Sequence, residues 1–436
     1  MTDITITETT TSDPAPAPDA QSDPAGAPDR PREAAADAVI IGGGLVGASL
    51  ALGLARRGLT SVICDALPFS VSKAPGFDGR GYAVALASRR YLRHLGVWPA
   101  IEPHAQEIRD ILVSDGRVGE KASPYFLHFD HAELGAEGFG HMLEDHHLRL
   151  AVLSAAEAEP LITYWDGAAL ERLERGPYGA TAHLADGRRV TAPIAVACDG
   201  RSSGVRANAG IGRIHRRYNQ VGLVCAVRHE KPHNGVAHEF FLPPGPFAIL
   251  PLKGDRSTLV WTERAELAEA LRAVDDAVYV SELRRRFGDF LGRVSLEGKR
   301  WVYPLSLSLA HEFVKDRLAL VGDAARGMHP IAGQGLNYGM RDAAALAETL
   351  GDAAERGEDL GELSVLRRYE RWRRPDSVAI AAATDGLNNL FSNDLGPVRW
   401  ARRLGLYGFG QIGPLRRAAM RFAAGDRSDL PAAMRG

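Results

Sequence analysis

The segment DAVIIGGGLVGASLALGLARRGLTSVICDA, near the start of the sequence, restricts the fold of this chain more than any other stretch. An apolar run, Ala38–Ile41, leads into Gly42, Gly44 and Gly47 at G-x-G-x-x-G spacing, and a helical pattern of alanine and leucine follows. A second apolar run then ends at Asp65. This order predicts a dinucleotide-binding βαβ unit, in which the glycines let a pyrophosphate approach the backbone and the acid binds a ribose hydroxyl.

Two further glycine–acid loops lie far downstream. One apolar run ends in Asp199 and Gly200, and a later one ends in Gly322 and Asp323. The last loop continues through a proline and more glycines into a helical pattern, so its bare backbone and helix N-terminus suit a flat or anionic ligand. Asp65 indicates an adenosine with a free ribose, as in FAD or NAD. A nicotinamide dehydrogenase should continue with a clean series of further βα units, which we do not find. Three widely spaced loops instead suit a long cofactor that crosses the domain, so the pattern favours FAD over NAD.

These motifs, taken in order, resemble those of the flavin-dependent aromatic hydroxylases, the group A monooxygenases with the p-hydroxybenzoate hydroxylase fold. The resemblance covers residues 37 to about 376. Within that family, the segments FDGRGYAVALASRRYLRHLGVW and MHPIAGQGLNYGMRDA are most similar to the ubiquinone-biosynthesis hydroxylases. Each motif alone is weak evidence, whereas the three together are specific.

The resemblance implies a role for individual positions in binding FAD. Arg80 matches an arginine that contacts the phosphate and ribityl region, Asp323 matches a carboxylate that accepts a ribityl hydroxyl, and residues 333–337 match the edge of the flavin pyrimidine. His146 and His147 depart from the family pattern beside Arg149, and Arg326 stands where many members have histidine; we assign Arg326 no role. The expected cofactor-binding residues are Gly42, Gly44, Gly47, Asp65, Arg80, Arg149, Asp199, Gly200, Gly322, Asp323, Pro330, Gly333, Gln334, Gly335, Leu336 and Asn337.

The resemblance also implies the chemistry. NAD(P)H reduces the flavin, dioxygen adds at its C4a carbon, and the resulting hydroperoxide hydroxylates a phenol ring, so no side chain has to act as a nucleophile.

The pair His128 and His131 lacks a third ligand at any recognisable spacing, so we expect no metal. Alternating segments between residues 218 and 261 predict antiparallel strands that form the substrate wall, although each apolar residue there also suits an ordinary core. The substrate-pocket candidates are Tyr218, Phe240, Phe241, Leu250, Pro251, Trp261 and His329.

The expected fold class is α/β, a Rossmann-type FAD-binding domain with an inserted antiparallel β-sheet substrate domain and a C-terminal helical segment. The first 36 residues are rich in Thr, Asp, Ala and Pro, and a composition of this kind predicts a disordered tail. The expected divisions are a tail over 1–36, an FAD-binding domain over 37–111, 140–215 and 305–375, a β-sheet substrate domain over 112–139 and 216–304, and a basic amphipathic helical segment over 376–436.

Composition excludes several classes of protein. The formal charge of −2 and pI near 6.7, with no basic stripe along the body of the chain, do not favour nucleic-acid binding. The three cysteines form no C-x-x-C pair, which suits a reducing compartment, and we find no secretory signal or membrane-spanning run. We therefore expect a cytoplasmic protein.

The C-terminal region mixes arginines with aromatic residues from 397 to 436. Such a segment suits docking at the inner face of the cytoplasmic membrane or on a ubiquinone-biosynthesis complex, and it equally suits a helical cap on the flavin domain. The leading hypothesis is hydroxylation of a prenylated phenol or quinone precursor. The alternatives are a flavin hydroxylase of a soluble aromatic and a low-turnover flavin-binding accessory subunit.

Overall fold

The computed structural model describes residues 32–119, 126–135, 138–328, 334–391, 405, 408–426 and 429–436. The strands of this described part belong to four sheets. In chain order they are β1 (Glu33–Ala35), β2 (Ala38–Ile41), β3 (Ser61–Cys64), β4 (Gly81–Ala85), β5 (Gln106–Glu107), β6 (Asp110–Asp115), β7 (Phe126–Asp130), β8 (Gly140–Glu144), β9 (Ile162–Trp165), β10 (Leu170–Arg175), β11 (Ala180–Leu184), β12 (Arg189–Ala192), β13 (Ile194–Ala197), β14 (Arg213–His229), β15 (Val236–Leu242), β16 (Gly245–Leu252), β17 (Arg256–Arg264), β18 (Val294–Ala310), β19 (Val314–Lys315), β20 (Leu318–Leu320) and β21 (Arg326–Gly327).

The helices lie mainly on the faces of the two largest sheets. In chain order they are α1 (Leu45–Ala55), α2 (Phe69–Ser72), α3 (Leu86–His94), α4 (Trp98–Ile101), α5 (Asp145–Ala158), α6 (Gly204–Asn208), α7 (Ala265–Ala273), α8 (Asp276–Phe287), α9 (Gly335–Glu355), α10 (Leu363–Phe391) and α11 (Gly413–Ala423).

A six-stranded sheet in the order β19-β20-β13-β2-β3-β9 forms the first layer, and its strands are parallel except for β19. Strands β2, β3 and β13 are buried along their whole length, as expected for a parallel sheet covered on both faces. Helices α1 and α9 pack against each other beside this sheet. The predicted βαβ unit and α/β fold class are confirmed.

An eight-stranded sheet in the order β21-β18-β14-β17-β16-β15-β6-β7 forms the second large layer. Its central pairs are antiparallel, as predicted for the substrate wall, and only β15 and β6 run parallel. The expected divisions at 215/216 and 304/305 fall inside β14 and β18. Each of these long strands therefore includes residues that were expected to belong to the FAD-binding domain as well as residues of the expected substrate domain.

The expected tail over residues 1–36 is wrong at its C-terminal end. Strand β1 pairs in parallel with β12, and Glu33 also forms an ion pair with Arg189. Backbone hydrogen bonds to an open sheet edge do not require apolar side chains, so composition gave no sign of this strand.

The C-terminal part of the chain packs onto both layers. Helix α10 continues across the expected division at 375/376, and α11 buries Met420 in an apolar cluster with residues of the eight-stranded sheet. Across the part of the chain that the structure describes, no helix has an apolar stretch long enough to cross a bilayer.

Candidate functional site

Three loops meet at the carboxyl edge of the six-stranded sheet. Strands β2, β13 and β20 are neighbours there, and they lead respectively into Gly42, Asp199 and Gly322. The loops touch, since a Cβ atom built on Gly42, whose φ is +97°, would lie 2.5 Å from the carbonyl oxygen of Cys198. A Cβ on Gly47 would lie 2.0 Å from the carbonyl oxygen of Gly42. Glycine is therefore required at both positions by sterics.

The first loop presents the N-terminus of α1 beside a fixed carboxylate. The N-cap residue, Gly44, carries no capping side chain, so first-turn N–H groups of α1 remain available to an anion. Asp65 is buried and accepts hydrogen bonds from the backbone N–H groups of Gly43 and Leu67, both at 2.8 Å. Tyr164 donates its hydroxyl to the carbonyl oxygen of Gly43 at 2.7 Å. This arrangement holds the glycine turn and Asp65 together at the end of β3.

Two carboxylates of the other loops lack enough donors among the described residues. Asp199 accepts a hydrogen bond from the N–H of Val205 at 3.1 Å, whereas its Oδ1 is buried without a partner. Asp323 forms only a long ion pair, with Arg201 at 3.9 Å, among the described residues, and desolvation raises the pKa of Asp323 above its ordinary value. The buried oxygen of Asp199 is costly without a donor, and the carboxylate of Asp323 remains 44% exposed, so both loops can accept a ligand that brings hydroxyl or N–H donors. An FAD molecule, with its ribose and ribityl hydroxyls, fits this donor requirement.

Arg80 and Arg149, two of the expected FAD-binding residues, both form an ion pair with the same acid, Asp145. Asp145 contacts Arg80 at 3.0 Å and Arg149 at 2.7 Å, and Asp78 adds a further ion pair to Arg80 at 2.7 Å. The Arg80 guanidinium also lies 4.7 Å from the ring centroid of Trp301 on β18. Although burial opposes its charge, the hydrogen bonds that Arg80 donates to Asp78 and the negative charge of Asp145 raise the pKa of Arg80. Both arginines are thus positioned before any ligand arrives.

The start of α9 was expected to follow the flavin edge. Gln334 is the N-cap residue, Gly335 is exposed, and Leu336 packs against the main core. The side chain of Asn337 is occupied by β4, because it accepts from the N–H of Ala85 at 2.9 Å and donates to a carbonyl of the same strand at 2.8 Å. Pro330, Gly333 and His329 lie outside the described residues. Asn337 therefore joins β4 to α9 through its side chain.

A buried ionic network behind the third loop was missed by sequence reasoning. Asp342 accepts from Arg326 at 2.8 Å, from Arg373 at 2.9 Å and from the N–H of Gly322 at 3.1 Å. Asp376 in turn pairs with Arg373 and with Arg341. Arg326, which was assigned no role, is only 3% exposed. The sequence did contain a sign of this network, because the charged residues Arg341 and Asp342 interrupt the apolar sequence of α9, where both are buried.

The two faces of the eight-stranded sheet separate the substrate-pocket candidates. Trp261 is fully buried in a cluster that packs on α7 and α8, and Phe240 packs on the same cluster. Strand alternation puts Pro251 on that face with Phe247. These three candidates are wrong, because the face they share is covered by helices that the sequence patterns did not reveal.

The other candidates that the structure describes contact β4, β8 or α10. Leu250 packs on the opposite, inner face with residues of β4 and β8. Phe241 stacks on Phe391 of α10 with ring centroids 4.0 Å apart. Tyr218 donates its hydroxyl to Asp385 of α10 at 2.6 Å, which places it at the border between sheet and helix. Of the candidates, Leu250 and Phe241 remain suited to a substrate wall.

Comparison with known proteins identifies the family of this chain. The family described as FAD binding domain matches residues 35–384. The ubiquinone hydroxylase UbiL of Rhodospirillum rubrum is 47% identical over 405 residues, which cover 92% of this chain and 93% of that protein. The 3-demethoxyubiquinol 3-hydroxylase of Escherichia coli is 34% identical and covers 88% of this chain and 97% of its own.

A solved structure supports the fold independently. The p-nitrophenol 4-monooxygenase PnpA of Pseudomonas putida superposes with a TM-score of 0.74 at 20% identity, covering 91% of this chain and 99% of that one. The glycine loops, the unpaired carboxylates and the extent of these matches agree with one another. The chain therefore belongs to the family of FAD-dependent monooxygenases that carry the FAD binding domain and include the ubiquinone hydroxylases.

Proposed function

We propose that this protein hydroxylates an aromatic ring of a polyprenylated ubiquinone precursor, with FAD as cofactor and NAD(P)H and dioxygen as co-substrates. The observation that carries the proposal is the 47% identity to a ubiquinone hydroxylase over nearly the whole chain. The largely apolar inner face of the eight-stranded sheet, on which Trp301 contacts Arg80, supports it, because a prenylated ring needs an apolar site from which water is excluded.

Each loop has a proposed task in holding FAD. The α1 N-terminus, with Gly42, Gly44 and Gly47, binds the pyrophosphate, and Asp65 binds a ribose hydroxyl. Asp199 and Asp323 accept hydroxyl donors through the oxygen atoms that the described residues leave unpaired.

The remaining residues of the site act on the flavin end. Arg80 and Arg149 supply positive charge beside the phosphate and ribityl region. The N-terminus of α9 faces the flavin pyrimidine, where the helix dipole stabilises negative charge on the reduced ring. Bound FAD supplies the electron transfer and the activation of dioxygen, and the protein contributes placement, charge and a dry wall.

We further propose that the C-terminal helix contacts the inner face of the cytoplasmic membrane, from which a prenylated substrate has to be taken. Leu415 and Phe422 are 48% and 41% exposed and lie along one border of α11, and Ile412 just before the helix is 49% exposed. Arg417 and Arg421 are exposed along the other border. An apolar border beside a basic one suits the surface of an anionic bilayer, while Met420 fixes the helix to the sheet.

Vesicle flotation tests the membrane proposal. Wild-type protein should float with vesicles that contain phosphatidylglycerol, and the double variant L415D/F422D should remain at the bottom. L267D is the matched control, since Leu267 on α7 is 44% exposed but lies on another surface. Equal flotation of wild type and double variant would rule the proposal out, and a shift into a larger protein assembly would favour the docking of α11 on a partner complex.

Deletion of the gene tests the function. The deletion strain should lose ubiquinone and accumulate a prenylated precursor that lacks one hydroxyl, detected by mass spectrometry of the quinone pool. Wild-type protein should restore ubiquinone, whereas G47V should not, because no side chain fits at that glycine. An unchanged quinone pool in the deletion strain would favour the hydroxylation of a soluble aromatic. Normal rescue by the G47V variant would favour an accessory role.

A further inference from the structure

Glu239 is a carboxylate on the wall of the eight-stranded sheet whose immediate neighbours are apolar. It lies on β15, where the register places Ala248 of β16 on one side and Val113 of β6 on the other. Within the described residues, no group donates a hydrogen bond to its side chain or forms an ion pair with it. A lone acid in such surroundings is costly unless a ligand completes it.

The side chain of Glu239 faces the inner side of the sheet. Ala237, two residues earlier, packs in the apolar cluster that joins the sheet to β8, and Phe241, two residues later, stacks on α10. The intervening residues point the other way, since His238 contacts Phe290 and Phe240 packs in the cluster of α7 and α8. Glu239 is therefore directed to the side of the sheet on which β8 and α10 pack.

One line of residues across this inner face remains partly accessible to solvent. Directly paired residues of six neighbouring strands form a row on the inner face, and all but Ala248 remain partly accessible to solvent. The row, called here the wall row, consists of Val113, Glu239, Ala248, Val260, Val224 and Trp301. Glu239 is the one ionisable residue of the wall row. At its other end, Trp301 lies against Arg80, one of the proposed FAD ligands.

The charged groups on the elements around β15 are engaged elsewhere. On β6, Asp115 lies opposite Phe241 and is fully buried, and on α10, Asp385 is paired with Arg216. Behind the sheet, Glu263 is paired with an arginine of α8. Burial alone raises the pKa of Glu239, to about 7, with no contribution from a neighbouring charge. A carboxylate in this state takes and returns a proton easily near neutral pH.

Building on the proposed function, we propose that Glu239 accepts the hydroxyl proton of the phenol ring during hydroxylation. As the ring carbon forms its bond to oxygen, the phenol O–H bond breaks, its electron pair enters the ring, and the proton passes to a carboxylate oxygen of Glu239. The ring carbon then loses its own proton to solvent as the ring becomes aromatic again, and Glu239 returns its proton to the phenol oxygen. Dioxygen supplies the oxygen atom. Its O–O bond breaks as the ring carbon–oxygen bond forms, its second oxygen atom leaves as water, and NAD(P)H supplies the two electrons that this requires.

The test uses FAD-loaded enzyme with 2-(3-methylbut-2-enyl)phenol and with the methyl ether of that phenol. The experiment compares the wild type with E239Q, E239D and the control E269Q. The control replaces an exposed glutamate of α7. Ligand affinity is measured by the change in flavin absorbance from pH 5.5 to 9, and hydroxylated product is measured by chromatography.

E239Q should form product about a hundredfold more slowly and lose the inflection near pH 7, with partial recovery in E239D and none of these effects in E269Q. The ether has no proton to give, so E239Q should bind it as the wild type does, which also shows that the variant is folded. A wild-type rate and pH profile in E239Q would overturn the role of Glu239 while leaving the function intact. No product from the wild type would overturn both.

Discussion

Replacement of Asp342 by asparagine tests whether the buried ionic network holds the third nucleotide-binding loop. Asp342 is fully buried and accepts from two guanidinium groups and from the backbone N–H of Gly322. Asparagine keeps the shape but removes the charge, and it places an amide group among donors. Arg341 and Arg373 would then share the carboxylate of Asp376, and buried Arg326 would lose its ion pair and keep its hydrogen bond to the hydroxyl of Ser377.

The expected loss is large compared with that of a surface ion pair. Removal of one partner from a buried ion pair costs about 3–5 kcal/mol, because the remaining charges stay desolvated and unpaired. The matched control is D352N on the same helix, α9, where Asp352 is 40% exposed and pairs with Arg57 at 2.7 Å. A pair of that kind contributes about 0–1 kcal/mol.

Urea denaturation followed by tryptophan fluorescence measures the difference without adding salt. The D342N variant should unfold at a clearly lower urea concentration than the wild type and should lose FAD during gel filtration, since the one amide oxygen of asparagine cannot accept from both guanidinium groups and the N–H of Gly322. The D352N variant should behave nearly as the wild type does. Equal midpoints for D342N and D352N, with equal retention of FAD, would refute the assignment of the network to the loop.

Three further predictions concern other parts of the site. A Cβ at Gly47 would contact a backbone oxygen at 2.0 Å, so G47A should cost about 1–3 kcal/mol in the free energy of unfolding and weaken FAD binding measured by fluorescence titration. D323N should weaken FAD binding about tenfold or more through the loss of a charge-assisted hydrogen bond, whereas D316N on the turn after β19 should not. Folding raises the pKa of Glu239 from 4.5 to about 7. As the pH rises, Glu239 therefore loses its proton in the unfolded chain before it does so in the folded one, and the free energy of unfolding of the wild type falls between pH 4.5 and about 7. The difference between the free energies of unfolding of E239Q and the wild type should therefore shift in favour of E239Q by up to about 3 kcal/mol between pH 4 and pH 8.

Local patterns predicted the nucleotide-binding layer well. The strands that precede Gly42, Asp199 and Gly322 were each visible as short apolar runs before a glycine–acid pair, and the structure places them side by side. Such signals are local in sequence, and the parallel order of the sheet brings the carboxyl ends of the strands together. The helix that begins at Gly335 was equally clear from its apolar periodicity.

Features that depend on contacts distant in sequence were not predictable. Alternation on β15, β16 and β17 showed two faces but not which one helices cover, so Phe240, Pro251 and Trp261 were placed on the wrong side. The pairing of β1 with β12 depends on an edge more than 150 residues away in sequence. Arg326 and its partners carry charge, which sequence reasoning places at the surface unless the partners are known.

The most direct test of the proposed hydroxylation is the source of the oxygen atom. FAD-loaded enzyme is supplied with NAD(P)H, oxygen-18 gas and 2-(3-methylbut-2-enyl)phenol, and the product is analysed by mass spectrometry. The account predicts that each product molecule carries one added oxygen atom and that this atom is oxygen-18. Consumption of NAD(P)H with hydrogen peroxide as the only product, or a hydroxyl group that derives from water, would contradict it.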